Sequence, residues 1–299
     1  MKIDNATYNS PYPPESMNDA LPAPWGGEGK YLCLNDDAVI WYTQIGSGRP
    51  LVLVHGWRAS SRFWKRNVLE LAKHFRVIVP DLRGHGSSTK VLHGHTISRY
   101  AQDLHELCTY LNLDRPVFAG WSMAGSICME YWWRFGSTHM SGLALIDCNV
   151  APFSNAPWNA FRMKESKSDA HNDSIRALTR DPEGFSRSFA ANMFGTTPAT
   201  SEELDWMSDE MTKTPPWIAA AVHSDFVVRN YERLIPSVTV PAAVFAGVFG
   251  PGSLEMGKHF ADYFQDARYF PYEHCGHALF YEDSRRFNSQ MIAFGQSIR

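Results

Sequence analysis

At 299 residues the chain can bury a sizeable single core, and its apolar (44%) and charged (20%) fractions exclude the disordered and fibrous classes. A formal charge of −3, with no run of basic residues, argues against nucleic acid or an anionic membrane as the partner. No apolar stretch reaches the roughly 18 residues that span a bilayer. The opening Met1-Lys2-Ile3-Asp4-Asn5 has no apolar signal core. Five cysteines (Cys33, Cys108, Cys128, Cys148 and Cys275) make an odd number without C-x-x-C spacing. They read as free thiols in a reducing cytoplasm, which is the expected location.

Residues 1–29 are rich in Pro, Asn and Gly and are expected to form an extended arm. Tyr31–Leu34 and Val39–Gln44 read as a hairpin turning at Asn35-Asp36-Asp37. Leu51-Val52-Leu53-Val54 is an unbroken apolar run, the mark of a strand buried on both faces, and it ends in His55-Gly56-Trp57-Arg58. Ser60–His74 reads as a helix, Phe75–Pro80 as the next buried strand, and Asp81–Ser88 as a glycine-punctuated loop. Ser98–Leu111 has helical apolar spacing. Val117–Ala119 ends a strand, Gly125–Phe135 is helical, and Gly142–Asp147 is again a buried strand. This alternation predicts an α/β protein with a mainly parallel sheet covered on both faces.

From 148 to 235 no strand signal is present. Helical pieces there carry many large apolar side chains, among them Trp158, Phe161, Phe189 and Trp217. The segment reads as a helical cap over the sheet edge, dividing a core of 30–147 and 236–299. The plainer reading of each aromatic is packing of cap to core. The sheet resumes at Pro241–Gly247, a helix follows from about Leu254, and the strand Arg268–Tyr272 leads to Glu273-His274-Cys275-Gly276-His277. Ser284–Ile298 is a closing helix.

Chemistry concentrates at Gly120-Trp121-Ser122-Met123-Ala124. A strand turning abruptly into a helix strains the residue at the turn, and only small neighbours avoid a clash there. Gly120 and Ala124 meet that need, so Ser122 is the candidate nucleophile. A serine hydroxyl is a weak nucleophile at neutral pH and needs a base. His277, in a loop after the last strand, faces the same sheet edge and is the candidate.

The chain resembles α/β-hydrolase-fold proteins over about residues 30–299. The likeness rests on Leu-Val-Leu-Val-His-Gly-Trp (51–57), Asp-Leu-Arg-Gly-His-Gly-Ser-Ser (81–88), Gly-Trp-Ser-Met-Ala-Gly (120–125) and Cys-Gly-His-Ala (275–278). The resemblance implies an α/β-hydrolase fold with a cap, the chain order nucleophile, acid, histidine, and no cofactor. It also implies an oxyanion hole from the backbone N–H groups of Met123 and Trp57. The acid departs from the commonest pattern, Gly-x-x-Asp after the penultimate strand, because Gly247-Val248-Phe249-Gly250 stands there. Asp147, where some members of the fold carry their acid, is the first candidate. It directly follows Leu-Ala-Leu-Ile and needs a partner if buried. Glu255 is the other, and a triad without an orthodox acid stays open.

Other polar groups read more plainly. Asp81, Arg83 and His85 are expected to be structural, and His55 to bond backbone. Arg58, beside the pocket mouth, could steer a carboxylate, although a solvated surface arginine is the simpler reading. His93, His95, His139, His171, His223 and His259 lack the spacing of a metal site, so no metal is expected. The pocket is assigned to Trp121, Trp158, Phe161, Phe189 and Trp217.

The expected activity is that of a serine hydrolase of the esterase or lactonase kind, acting through an acyl-enzyme on a small, largely apolar ester. The expected partner is therefore a small-molecule substrate, with the oligomeric state open. Cofactor-independent dioxygenases of 3-hydroxy-4-quinolones are also similar, at Phe-Arg-Val-Ile-Val-Pro (75–80), at the Gly-Trp and at the Asp147 position. They carry histidine where this chain has Trp121 and Ala59. A perhydrolase of the cofactor-free haloperoxidase type, and a non-catalytic ligand-binding protein, are the remaining readings.

Overall fold

A computed structural model describes residues 22–159, 167–249 and 253–299. Within them the chain builds an eight-stranded sheet in the order β1-β2-β4-β3-β5-β6-β7-β8. The strands are β1 (Gly29–Cys33), β2 (Val39–Ile45), β3 (Pro50–Val54), β4 (Arg76–Pro80), β5 (Val117–Trp121), β6 (Gly142–Ile146), β7 (Ala242–Gly247) and β8 (Ala267–Tyr272). Only the pairings β1–β2 and β2–β4 are antiparallel. The mainly parallel α/β sheet is as expected from the unbroken apolar strands.

The alternation of side chains along each central strand splits the core in two. On one face Val52, Val54, Phe118, Leu143, Leu145 and Val244 pack with residues of α2 (Ile97–Tyr110) and α3 (Met123–Phe135). On the other, Leu51, Leu53, Ala119, Ala144 and Phe245 pack with Phe63, Trp64 and the C-terminal Phe287, Met291 and Phe294. Helix was expected over Ser60–His74. A 3₁₀ turn (Ser61–Arg66) and the short α1 (Val68–Leu71) stand there, divided at Asn67. The Asn67 amide donates to Phe280 O and Asn288 Oδ1, which fixes the break.

The segment between β6 and β7 holds α4 (Lys167–Arg180), α5 (Pro182–Asn192), α6 (Ser201–Thr212) and α7 (Pro216–Val227). Their starts are written in the sequence. Asp181 accepts from Gly184 N–H ahead of Pro182, and Thr200 with Glu203 forms a reciprocal capping box. The chain ends with α8 (Ser253–Tyr263), α9 (Leu279–Glu282) and α10 (Ser284–Ser297).

Register decides where the site lies. Val54 pairs with Gly120, Trp121 with Ile146, Ile146 with Phe245, and Gly247 with Tyr272. The C-terminal ends of β3, β5, β6, β7 and β8 therefore share one edge. The loops leaving that edge carry Trp57, Ser122, Asp147, Phe249 and His277. Open parallel sheets bind ligands at this edge. Of the N-terminal arm, residues 1–21 lie outside the described residues. From Pro22 to Glu28 the chain makes a tight turn closed by a Pro22–Glu28 bridge, so this part is ordered by its own backbone bonds.

Candidate active site

Ser122 sits between β5 and α3 with φ 59° and ψ −124°. A non-glycine residue in that region costs about 1–3 kcal/mol and is kept only where its surroundings dictate it. Here Ser122 N–H donates to Ile146 O (3.0 Å), and Ser122 O accepts from Gly125 N–H (2.9 Å). Two close approaches explain the neighbouring glycines. A Cβ on Gly120 would lie 2.6 Å from Ala124 O, and one on Gly56 would lie 2.9 Å from Ser122 Cβ.

His277 bridges the serine to an acid. Its Nδ1 lies 2.6 Å from Asp147 Oδ2 and its Nε2 lies 2.8 Å from Ser122 Oγ. An ionised carboxylate only accepts, so Nδ1 carries the proton and the Nε2 lone pair faces the serine hydroxyl. Asp147 is itself held at positive φ (42°), and its Oδ1 accepts from Gly247 N–H at 2.8 Å. Both ends of the carboxylate are thus fixed. The side chains of His277 and Asp147 are each 6% exposed, so little water competes for these bonds. Glu255 is exposed on α8, and among the described residues no hydrogen bond joins it to His277.

A family model described as "Alpha/beta hydrolase family" matches residues 51–290. This chain belongs to that family. Over 274 residues, 90% of this chain and the whole of the other, it is 24% identical to the AB hydrolase superfamily protein YisY of Bacillus subtilis (strain 168). A stretch of 117 residues is 37% identical to a non-heme haloperoxidase of Rhodococcus erythropolis, spanning 39% of this chain and 43% of that one. Among solved structures, an esterase of Exiguobacterium antarcticum aligns over 89% of this chain and 99% of its own (TM-score 0.82, 21% identity). A bromoperoxidase of Bacillus anthracis aligns over 90% and 100% (TM-score 0.83, 19% identity). At these identities the solved structures speak for the fold.

Other side chains brace this alpha/beta hydrolase's histidine loop. Trp121 is buried, and its indole N–H donates to His277 O at 2.9 Å. Phe249, from the loop after β7, stacks on the His277 ring (4.3 Å between centroids, 23°). Glu282 accepts from Gly276 N–H (2.7 Å) and from Gly195 N–H (2.9 Å), tying the loop to the segment after α5. Burial pushes the Glu282 carboxyl above its ordinary value while these two donors pull it back. Neither Phe249 nor Glu282 was singled out from the sequence. An apolar residue after a strand and a glutamate near a histidine carry no signal until the loop is folded. Removing both acceptors by Glu282→Ala is expected to cost about 2–3 kcal/mol of stability and to lower kcat with it. Urea unfolding and ester kinetics on the variant check this.

The residues around Trp57 divide. Phe189 meets the Trp57 ring edge-on (5.7 Å), as does Phe185 (6.1 Å), and His223 lies against it (4.6 Å). Trp57 Nε1–H donates to Ala219 O of α7. Trp158 instead stacks on His259 (4.8 Å, 14°), and Trp217 lies half-exposed against His95. Phe161 lies outside the described residues. Met123 opens α3, where its N–H has no intrahelical acceptor. Among the described residues all five cysteines are free, no three or more His, Cys, Asp or Glu gather as metal ligands, and no helix is long and apolar enough to cross a membrane.

His55 bonds backbone as expected. Its Nε2 accepts from Leu82 N–H (2.9 Å), which leaves Nδ1 to donate to Gly56 O (2.9 Å). Burial pushes its pKa down to about 4, so it stays neutral and fixes the turn before Trp57. Asp81 accepts from Ser61 and Ser87 N–H, and Arg83 pairs with Asp103 and Asp36, so both are structural. Arg58 is a correction. It is 1% exposed rather than solvated, because its positive φ (59°) turns it under α5 and α6.

Burial lowers His55 to about 4 and His223 to about 3, and holds His85 well below its ordinary value. The unfolded chain then binds more protons than the folded one below about pH 6.5. Their contribution to stability is complete above that pH and is lost as pH falls toward the folded values. The expected decline is up to about 1.4 kcal/mol per pH unit for each histidine. Urea midpoints compared between about pH 7 and pH 5 measure it.

Proposed function

We propose that this chain is a serine hydrolase that cleaves a small, largely apolar ester or lactone through an acyl-enzyme. The observation that carries the reading is the chain of contacts from Ser122 Oγ to His277 Nε2 (2.8 Å) and from His277 Nδ1 to Asp147 Oδ2 (2.6 Å), with Ser122 held at a strained turn. His277 takes the Ser122 proton as Oγ attacks the carbonyl, then returns it to the leaving alcohol. Asp147 holds the imidazole in the required tautomer and stabilises the imidazolium. The N–H groups of Trp57 and Met123 receive the oxyanion. Water, deprotonated by His277, then releases the acid and restores Ser122. The helical segment between β6 and β7 acts as the cap, with Phe185 and Phe189 completing an apolar wall on Trp57.

Turnover of p-nitrophenyl acetate and butyrate, followed with an oxygen electrode alongside, tests the reading. Ester cleavage without oxygen consumption supports it. Oxygen uptake with a 3-hydroxy-4-quinolone and no ester cleavage would favour the dioxygenase and overturn it. The 37% identity to a non-heme haloperoxidase favours one second reading, in which hydrogen peroxide replaces water at the acyl-enzyme and a peracid leaves. Peracid formed from acetate and peroxide would identify it.

A further inference from the structure

Arg58 is a buried cation with no anion beside it among the described residues. Its guanidinium donates from Nη2 to Ser186 Oγ (2.7 Å) and weakly to Met211 O (3.4 Å), both neutral. Among the described residues Nε and Nη1 have no partner, although the residue is 1% exposed. The nearest acid along α6 is committed elsewhere, since Glu210 binds Lys213 Nζ (2.9 Å) and Arg62 Nη1 (3.5 Å). Burial alone lowers the Arg58 pKa, to about 10, with no carboxylate opposing it. Removing a charge from water without a counter-charge is among the most expensive things a fold can do.

The position is informative. Arg58 adjoins Trp57, and Gly56 before it packs directly on Ser122. Its Cζ lies 5.7 Å from the Trp57 ring centroid and 5.5 Å from that of Phe185, the aromatic wall described above. A cation with free donors beside such a wall suits a ligand with an apolar body and one negative group. A planar carboxylate matches a single guanidinium in charge and geometry. A phosphate dianion would leave half of its charge unmatched in the same buried place.

We propose that Arg58 is the carboxylate-binding residue of the substrate site, so that the ester or lactone cleaved here carries a carboxylate on an otherwise apolar body. This rests on the hydrolase reading for the substrate, but the binding itself can be read without turnover. The test measures calorimetric binding of phenylacetate and of its neutral counterpart phenylacetamide to the full chain, with p-nitrophenyl acetate turnover recorded in parallel. Wild type is expected to prefer phenylacetate by about 10-fold or more, Arg58→Met to lose that preference, and Arg58→Lys to keep part of it. Equal binding of the two probes by wild type, or a preference that survives in Arg58→Met, overturns the proposal. Should Arg58→Met fail to fold, Arg58→Lys decides, since an undiminished preference there removes the role of the guanidinium. A preference that depends on Arg58 without any ester turnover would leave this site standing and sink the hydrolase reading alone.

Discussion

Ser122→Ala is expected to lower ester turnover by about 10⁶-fold, the loss seen when a triad serine or histidine is removed from an enzyme that uses both as a unit. The fold should survive. Alanine keeps the Cβ that packs on Gly56, bears the same positive-φ strain at 59°, and leaves the backbone bonds to Ile146 and Gly125 in place. Circular dichroism and the urea midpoint should therefore match wild type. Adding His277→Ala should then cost little more, because without the hydroxyl the imidazole has no proton to take. Ester kinetics on the two variants and their combination check both statements. Turnover by Ser122→Ala close to wild type would remove Ser122 as nucleophile and leave the His277–Asp147 pair as a base for other chemistry.

Asp147→Asn carries the second large effect, a loss of up to about 10⁴ in kcat. Gly247 N–H donates to Asp147 Oδ1, so the amide oxygen of asparagine takes that place and its NH₂ group turns to His277 Nδ1. Nδ1 must then accept, the ring proton moves to Nε2, and the atom facing Ser122 Oγ has no lone pair to receive a proton. Asparagine tolerates the left-handed backbone at φ 42° as well as aspartate does, so stability should change little. Glu255→Gln is the control. Its exposure on α8, with no hydrogen bond to His277 among the described residues, predicts unaltered kcat, and pre-steady-state kinetics separates the three variants.

Much of the fold was legible because buried parallel strands announce themselves. Leu51–Val54, Val77–Val79, Val117–Ala119 and Leu143–Ile146 are apolar on both faces, as a sheet covered by helices requires. Register then brings the strand ends to one edge, which is why the loops holding Ser122, Asp147 and His277 meet. The departure at Gly247–Gly250 left the acid undecided in the sequence, whereas in the folded chain it is Asp147 that lies within hydrogen-bond distance of His277.

What the sequence could not carry depends on side chains that choose partners across the fold. Arg58 reads as surface because arginine is usually solvated, whereas a positive φ turns it inward beneath α5 and α6. Glu282 carries no signal in the sequence, and its role shows only once its carboxylate is found accepting two loop N–H groups. The aromatics between β6 and β7 divided for a similar reason. Composition gave Trp158, Phe189 and Trp217 one reading, but Phe189 meets Trp57 while Trp158 stacks on His259 and Trp217 meets His95 edge-on. Large apolar side chains in a helical segment satisfy burial wherever a neighbour offers it.

The most direct test of the central claim is to treat the purified chain with a fluorophosphonate and to locate the adduct by mass spectrometry. A serine activated by His277 and Asp147 should be phosphonylated at Ser122, with loss of ester turnover in proportion, and the Asp147→Asn variant should label far more slowly. A folded wild-type protein that turns over esters yet carries no adduct at Ser122 would contradict the account.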